Sequence, residues 1–156
     1  MERVKKILAP TDFSELSRVG LRYALNMARE LNAEVIVQHV ISVGEDWFSE
    51  HQEFSPVRDL LPEQERLLDK FLRDNFADCI NLIEVRQKVE VGLPQANIVD
   101  MAAREKVDMI VMSTHGRTGL SHMMLGSVTE KVVGHASCPV LVIPAIDRKR
   151  VMARAA

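Results

Sequence analysis

The sequence has few features that would mark a secreted, membrane or nucleic-acid-binding protein. Its two cysteines, Cys79 and Cys138, lie far apart and outside any metal-ligand spacing. Free thiols are typical of cytosolic proteins, so a cytoplasmic location is expected. No apolar run approaches the roughly 20 residues that a membrane helix needs, and the N-terminus lacks the apolar stretch of a signal peptide. The net charge of −2 argues against a dedicated nucleic-acid binder.

Several motifs of known binding and catalytic sites are also missing. The chain has no Gly-x-x-x-x-Gly-Lys-Ser/Thr loop, no Gly-x-Gly-x-x-Gly after its first predicted strand and no Gly-x-Ser-x-Gly elbow. Its five histidines show no zinc-binding spacing. Because no nucleophile stands beside a clear base, no catalytic residue is predicted, and the interpretation favoured here is a protein that is not an enzyme.

Apolar strand patterns alternate with amphipathic helix patterns along the chain. Strands are predicted at residues 4–9, 34–41, 84–91, 108–113 and 140–143, and helices at 15–31, from Pro62 through Phe76, at 95–106 and at 128–135. This alternation predicts a single α/β domain with a doubly wound, mostly parallel five-stranded sheet and helices on both faces. The third strand alternates apolar and charged residues, which is typical of a sheet edge.

Boundaries and less regular segments follow from the same pattern. The domain is assigned to residues 1–145 and a basic tail to residues 146–156, which is expected to be solvated, with a weak site for an acidic partner as the alternative. Residues 42–57 are irregular and form either a surface excursion pinned by its aromatic residues or a mobile flap or partner surface. The first helix is predicted to have Ser14 as its N-cap and to bury one face, consisting of Leu16, Val19, Gly20, Tyr23, Met27 and Leu31.

The segment 109–127 is the most informative stretch. A buried strand passes into small and polar residues, and a helix is predicted to start near Ser127, which stands three residues before Glu130 as in a capping box. Glycines would let the backbone approach a ligand, and Arg117 adds positive charge beside the positive end of a helix dipole. The segment is therefore either a phosphate-binding loop or a connection whose helix is merely capped.

A second loop, Pro10-Thr11-Asp12, completes a predicted crevice if the first and fourth strands are neighbours. Ligands of doubly wound sheets bind outside the carboxyl ends of the strands, where the strand order reverses. Asp12 can meet a ribose hydroxyl or a bound Mg²⁺, although helix capping is the competing interpretation. His115 can contact phosphate or stabilise the turn.

The fifth predicted strand, Val140-Leu141-Val142-Ile143, is apolar without alternation. As an exposed sheet edge it would invite pairing with another strand. We therefore expect it to be covered by the same strand of a second subunit, or otherwise by the C-terminal tail.

Three stretches resemble the universal stress protein family over nearly the full length. They are Ile7-Leu8-Ala9-Pro10-Thr11-Asp12-Phe13-Ser14, the strand end His39-Val40, and Ser113-Thr114-His115-Gly116 followed after nine residues by Gly126-Ser127. The ATP-binding branch of the family is marked by Gly-x-x-Gly, nine residues, then Gly-Ser or Gly-Thr. Here Ser113 replaces the first glycine, so its side chain either crowds a ligand or adds a hydrogen bond.

The resemblance implies the strand order 3-2-1-4-5, a homodimer through the last strand, and binding of ATP, with Mg²⁺ through the nucleotide and Asp12 as a weak metal contact. It also implies a nucleotide site formed by Pro10, Thr11, Asp12, Val40, Met112, Ser113, Thr114, His115, Gly116, Arg117, Thr118, Gly126, Ser127 and Val128. The function expected is that of a dimeric stress-response sensor or adaptor with an unidentified protein partner. A slow ATPase or phosphotransferase and an interaction module without nucleotide stay open as alternatives.

Overall fold

The strands pair in the order that the resemblance implies. The computed structural model describes residues 3–44, 59–114 and 125–145. Within them, five parallel strands form one sheet in the order β3-β2-β1-β4-β5. The elements are β1 (Lys6–Pro10), α1 (Glu15–Leu31), β2 (Glu34–Ser42), α2 (Leu61–Ile80), β3 (Val85–Gly92), α3 (Pro94–Arg104), β4 (Met109–Ser113), α4 (Ser127–His135) and β5 (Val140–Ile143).

Burial explains why β1 is central and β3 lies at an edge. Ile7, Leu8 and Ala9 have no exposed surface, because helices cover both faces of the sheet at this point. On β3, by contrast, Gln87 and Lys88 are exposed and the valines are only half-buried. The alternating pattern of this strand therefore correctly indicated a sheet edge.

Two hydrophobic layers lie on opposite faces of the sheet. In the first, α1 and α2 pack through Leu21, Leu25, Leu68 and Leu72 on side chains of β1 and β2 that include Ile7 and Val35. In the second, α3 and α4 pack through Ile98, Met101 and Val132 on side chains that include Leu8, Ile36 and Ile110. This arrangement confirms the predicted doubly wound α/β architecture.

The predicted buried face of α1 is correct only in part. Gly20 is buried, and Met27 and Leu31 pack against the core, but Val19 and Tyr23 are 39% and 46% exposed. The buried residues of the helix are Ser17, Gly20, Leu21, Ala24, Leu25 and Ala28. The small residues Gly20, Ala24 and Ala28 let the helix axis lie close to the sheet. A prediction based on large apolar side chains misses such a face. Here the close approach of the helix to the sheet decides which side of the helix is buried.

The N-terminus of α1 is capped as predicted. Ser14 has extended backbone angles, and its hydroxyl oxygen accepts a hydrogen bond of 3.0 Å from the Ser17 amide. We expect Ser14→Ala to lower the free energy of unfolding by about 1 kcal/mol, because one helix amide loses its acceptor. Chemical denaturation measures this change, and Ser14→Asp, which keeps a capping oxygen, is the control. Equal stability of the alanine and aspartate variants would contradict the assignment.

Three sequence predictions lie outside the described residues. They are residues 45–57 of the excursion predicted at 42–57, whose first residue Ser42 belongs to β2, the central part of the glycine-containing loop at 115–124 and the basic tail at 146–156. In the described part of the chain, no helix is both long and apolar enough to span a bilayer.

Candidate functional site

A cavity of about 590 Å³ opens at the carboxyl ends of β1, β2 and β4. Strand β1 lies between β2 and β4, so this is the point at which the strand order reverses. The cavity has the size typical of small-ligand sites. Of the predicted site residues, it is lined by Pro10, Thr11, Asp12, Val40, Met112, Ser113, Gly126, Ser127 and Val128. The two loops predicted to form a crevice therefore do meet.

The remaining predicted site residues do not line this cavity among the described positions. Thr114 is half-buried and uses its main chain to bind neighbouring elements: its amide donates to the Ile143 carbonyl oxygen, and its carbonyl accepts from the Gly126 amide. His115, Gly116, Arg117 and Thr118 lie outside the described residues. Their predicted contacts with a ligand stay predictions.

Thr11 organises the loop between β1 and α1. Its hydroxyl lies 2.9 Å from the Ser17 hydroxyl and accepts a hydrogen bond of 3.1 Å from the Phe13 amide. These contacts hold Phe13 at a φ of +66°, a left-handed conformation that costs energy for a bulky residue. The Phe13 ring stacks on His39 at 4.1 Å and packs edge-on against Phe71. The loop is therefore fixed from both sides beside the cavity.

Asp12 takes part in the same turn. Its Oδ1 atom accepts a hydrogen bond of 3.0 Å from the Ser14 amide, immediately before α1. The acceptor that caps α1 is Ser14, and the Asp12 carboxylate binds the amide of this N-cap residue, so it supports the turn before the helix. Asp12 also borders the cavity. Among residues 3–44, 59–114 and 125–145, no cluster of His, Cys, Asp and Glu side chains is arranged to hold a metal ion.

The side chain of Ser113 faces α1. Its Oγ accepts a hydrogen bond of 2.8 Å from the Gly20 amide and donates one of 2.7 Å to the Leu16 carbonyl oxygen. Gly20 makes this contact possible, because a Cβ at position 20 would lie 2.8 Å from Ser113 Oγ and 2.6 Å from the Ser113 nitrogen. The hydroxyl proton of Ser113 is thus used by the helix, although Ser113, at the last position of β4, also lines the cavity.

The capping box predicted from Ser127 and Glu130 was wrong. Helix α4 begins at Ser127 itself, its N-cap is Gly126, and no side chain of the described residues caps it. Two hydrogen bonds join the start of the helix to the end of β4 and the residue after it. The Gly126 amide donates to the Thr114 carbonyl oxygen at 2.7 Å, and Thr129 Oγ1 donates to the Ser113 carbonyl oxygen at 3.0 Å. The first amides of α4, which have no partner within the helix, therefore begin at the cavity without a side-chain cap.

Sequence reasoning missed half of the cavity lining. The missed residues are Ser17, Gln38, His39, Ile41, Ser42, Gln64, Pro94, Ile98 and Thr129. One signal was available at Gln38, a polar residue that directly follows the apolar run Val35–Val37 in β2. Gln38 has no exposed surface, so its polar atoms must find partners inside the protein or in the cavity.

Comparison with known proteins decides the family. The model of the universal stress protein family matches residues 3–144. This chain belongs to that family. Universal stress protein MJ0577 of Methanocaldococcus jannaschii is 35% identical, over 89% of this chain and 94% of its own. The solved structure of MJ0577 superposes with a TM-score of 0.71 and covers 94% of this universal stress protein and 99% of the MJ0577 chain.

Two more distant structures of the family contain adenine nucleotides. A universal stress protein in complex with cAMP is 21% identical, with a TM-score of 0.61 and coverage of 93% of this chain and 100% of the other. A family protein from Arabidopsis thaliana with AMP bound is 18% identical, with a TM-score of 0.62 and coverage of 93% and 94%. At these identities the likeness concerns the fold alone.

Proposed function

We propose that this universal stress protein binds ATP, together with Mg²⁺, in the cavity between the loops that follow β1 and β4. The observation that carries the proposal is that these two loops meet where the strand order reverses. Nine of the residues predicted to contact a nucleotide line the cavity there. The adenine nucleotides in the two related structures support this ligand class.

The start of α4 suits phosphate groups. The cavity is lined at this point by Gly126, Ser127, Val128 and Thr129. Within the part of the chain that the structure describes, no side chain caps the helix. The positive end of the helix dipole and the free amides of the first turn favour an anion. Gly126 has no side chain to keep a phosphate from this backbone. Gly116, Arg117 and their neighbours are proposed to complete the phosphate contacts.

The apolar part of the cavity wall suits a base. Val40, Ile98 and Met112 are buried apolar residues in its wall, and Pro10 adds a further apolar surface. A flat aromatic ring gains from burial against such side chains. Asp12, in the loop after β1, also lines the cavity and is proposed to meet the ribose or the nucleotide-bound Mg²⁺.

We further infer that the protein acts as a dimeric sensor or adaptor in the cytoplasm. The dimer is proposed to form through β5, because this apolar strand lies at the sheet edge. Both cysteines are free thiols, as is common in cytosolic proteins, and burial raises the pKa of the Cys138 thiol, which disfavours its reactive thiolate. The ATP-bound and free forms would differ in what they present to a protein partner.

The direct test is to identify the ligand. The protein is purified without added nucleotide and denatured, and any released compound is identified by mass spectrometry. Protein recovered empty is then titrated with ATP and Mg²⁺ by calorimetry. Released or bound adenine nucleotide near one per chain is expected. An empty protein that also fails to bind added ATP with Mg²⁺ would refute the proposal.

Gly126→Val tests the phosphate end. The valine side chain would occupy space where phosphate approaches α4, so we expect ATP to bind more than tenfold more weakly. Gly134→Val, near the other end of the same helix, is the matched control, because a Cβ there meets no atom within 4 Å. Its ATP affinity should equal that of the unchanged protein. Equal affinities in all three proteins would contradict the phosphate assignment.

A further inference from the structure

Gln38 is a fully buried polar residue in the cavity wall. It lies on β2, two residues after Ile36, and so on the sheet face that α3 and α4 cover. None of its surface is exposed, although it borders the cavity. Val40, two residues further along β2, also lines the cavity and is one of the apolar residues proposed to contact the base.

The contacts of Gln38 fix which way its amide points. The Nε2 atom donates to Glu90 Oε2 at 3.1 Å and to the Asn97 main-chain oxygen at 3.2 Å. Both partners only accept hydrogen bonds, so rotating the amide by half a turn would place an oxygen against two acceptors. The amide nitrogen must therefore face β3 and α3.

Glu90 is itself held in place. Its Oε1 accepts a hydrogen bond of 2.6 Å from Arg104 Nη2, and its Oε2 also accepts one of 3.1 Å from Asn97 Nδ2. The carboxylate thus has a cation on one oxygen and two amide donors on the other. This network leaves the Gln38 side chain little freedom to turn its nitrogen towards the cavity.

The Oε1 atom of Gln38 is buried and has no hydrogen-bond partner among the described residues. A buried acceptor without a donor is unfavourable, and most such atoms in proteins are satisfied. Because the nitrogen is committed to Glu90 and Asn97, the oxygen is the polar atom of this side chain that is left for a ligand in the cavity. It requires a donor from that ligand.

We propose that Gln38 is a specificity-determining residue whose Oε1 accepts a hydrogen bond from the exocyclic amino group of a 6-aminopurine base. This inference rests on the proposed function, since it concerns the base end of the same site. Adenine carries an N–H donor at its 6-position, whereas guanine and hypoxanthine carry an oxygen there, which would oppose Oε1. A buried acceptor of this kind rejects ligands that leave it unpaired.

The test compares three triphosphates that differ at the 6-position of the purine, of which the 6-oxo compound also carries a proton on N1. They are ATP, with an amino group, purine riboside triphosphate, with hydrogen, and inosine triphosphate, with oxygen. In the unchanged protein we expect ATP to bind at least tenfold more tightly than either analogue, measured by calorimetry with Mg²⁺. In Gln38→Met, which keeps the length but loses the acceptor, the three affinities should fall within about threefold of one another.

Gln87→Met is the matched control, because Gln87 is a glutamine on the neighbouring strand β3 that is exposed and lies outside the cavity lining. It should keep the preference for ATP. A preference that persists unchanged in Gln38→Met would overturn the inference while leaving ATP binding intact. Failure of the unchanged protein to bind any of the three would instead refute the proposed function. If Gln38→Met does not fold, Gln38→Leu replaces it. The inference can also be overturned without any variant: it fails if the unchanged protein binds ATP and purine riboside triphosphate equally well.

Discussion

Gly20→Ala is expected to lower the free energy of unfolding by about 3 kcal/mol, at the upper end of overpacking effects. A Cβ at this position would lie 2.6 Å from the Ser113 nitrogen and 2.8 Å from the Met112 carbonyl carbon. Both are main-chain atoms of β4, so no side chain can rotate away to make room. Helix α1 or the end of β4 must move, although alanine is otherwise the better helix former. Urea denaturation followed by circular dichroism measures the change.

Gly134→Ala is the matched control for this prediction. It is also a glycine in a helix, but a Cβ there meets no atom within 4 Å. It should leave stability unchanged or raise it by up to about 1 kcal/mol. A Gly20→Ala variant as stable as Gly134→Ala would show that α1 does not lie against β4 as described.

Ser113→Gly should recover part of the loss caused by Gly20→Ala. It removes the Oγ that would lie 2.8 Å from the new Cβ, but the main-chain contacts remain. We therefore expect a coupling of about 1 kcal/mol between the two substitutions, which is typical of residues in contact. Strictly additive effects of the two substitutions would exclude a direct contact between these positions.

Val142→Asp is expected to convert the proposed dimer into monomers, or to make the protein insoluble. Val142 is half-buried at the sheet edge, and among the described residues β5 pairs only with β4. A carboxylate at this position would be buried in the proposed interface without a partner of opposite charge. The second subunit would place its own new carboxylate nearby, so the two negative charges would repel each other. Sedimentation velocity at several concentrations measures the change, and the dissociation constant should rise by more than a hundredfold.

Leu82→Asp is the control for the dimer prediction. Leu82 is 62% exposed and precedes β3, so it lies near the opposite edge of the sheet. This variant should dimerise as the unchanged protein does. A soluble dimer formed by Val142→Asp would place the interface elsewhere, and a monomeric unchanged protein would refute the proposed dimer altogether.

Local sequence patterns predicted most of the fold. The predicted bounds of the strands and of three helices agree with the structure to within two residues. They do so because apolar runs, prolines and the Ser14 cap act over short distances along the chain. The same patterns identified the two loops that meet at the cavity, since the carboxyl ends of parallel strands share one edge of the sheet.

The errors arose where contacts between distant residues decide the outcome. The buried face of α1 depends on how close Gly20 comes to β4, a contact across 93 positions of the chain. The start of α4 depends on hydrogen bonds to the main chain of Ser113 and Thr114 instead of on the spacing of Ser127 and Glu130. The orientation of the Gln38 amide, which leaves its buried oxygen without a partner among the described residues, depends on Glu90 and Asn97, and no spacing along β2 could reveal it.

The bond between Ser113 and Gly20 also has a consequence for hydrogen exchange. The Gly20 amide donates to a side chain on β4, immediately before the loop proposed to contact phosphate. Its proton is therefore protected by a contact between two separate elements. The proton can exchange with solvent only when the end of β4 separates from α1, so its exchange rate measures how often that separation occurs. A single glycine resonance thus reports the opening of this part of the molecule.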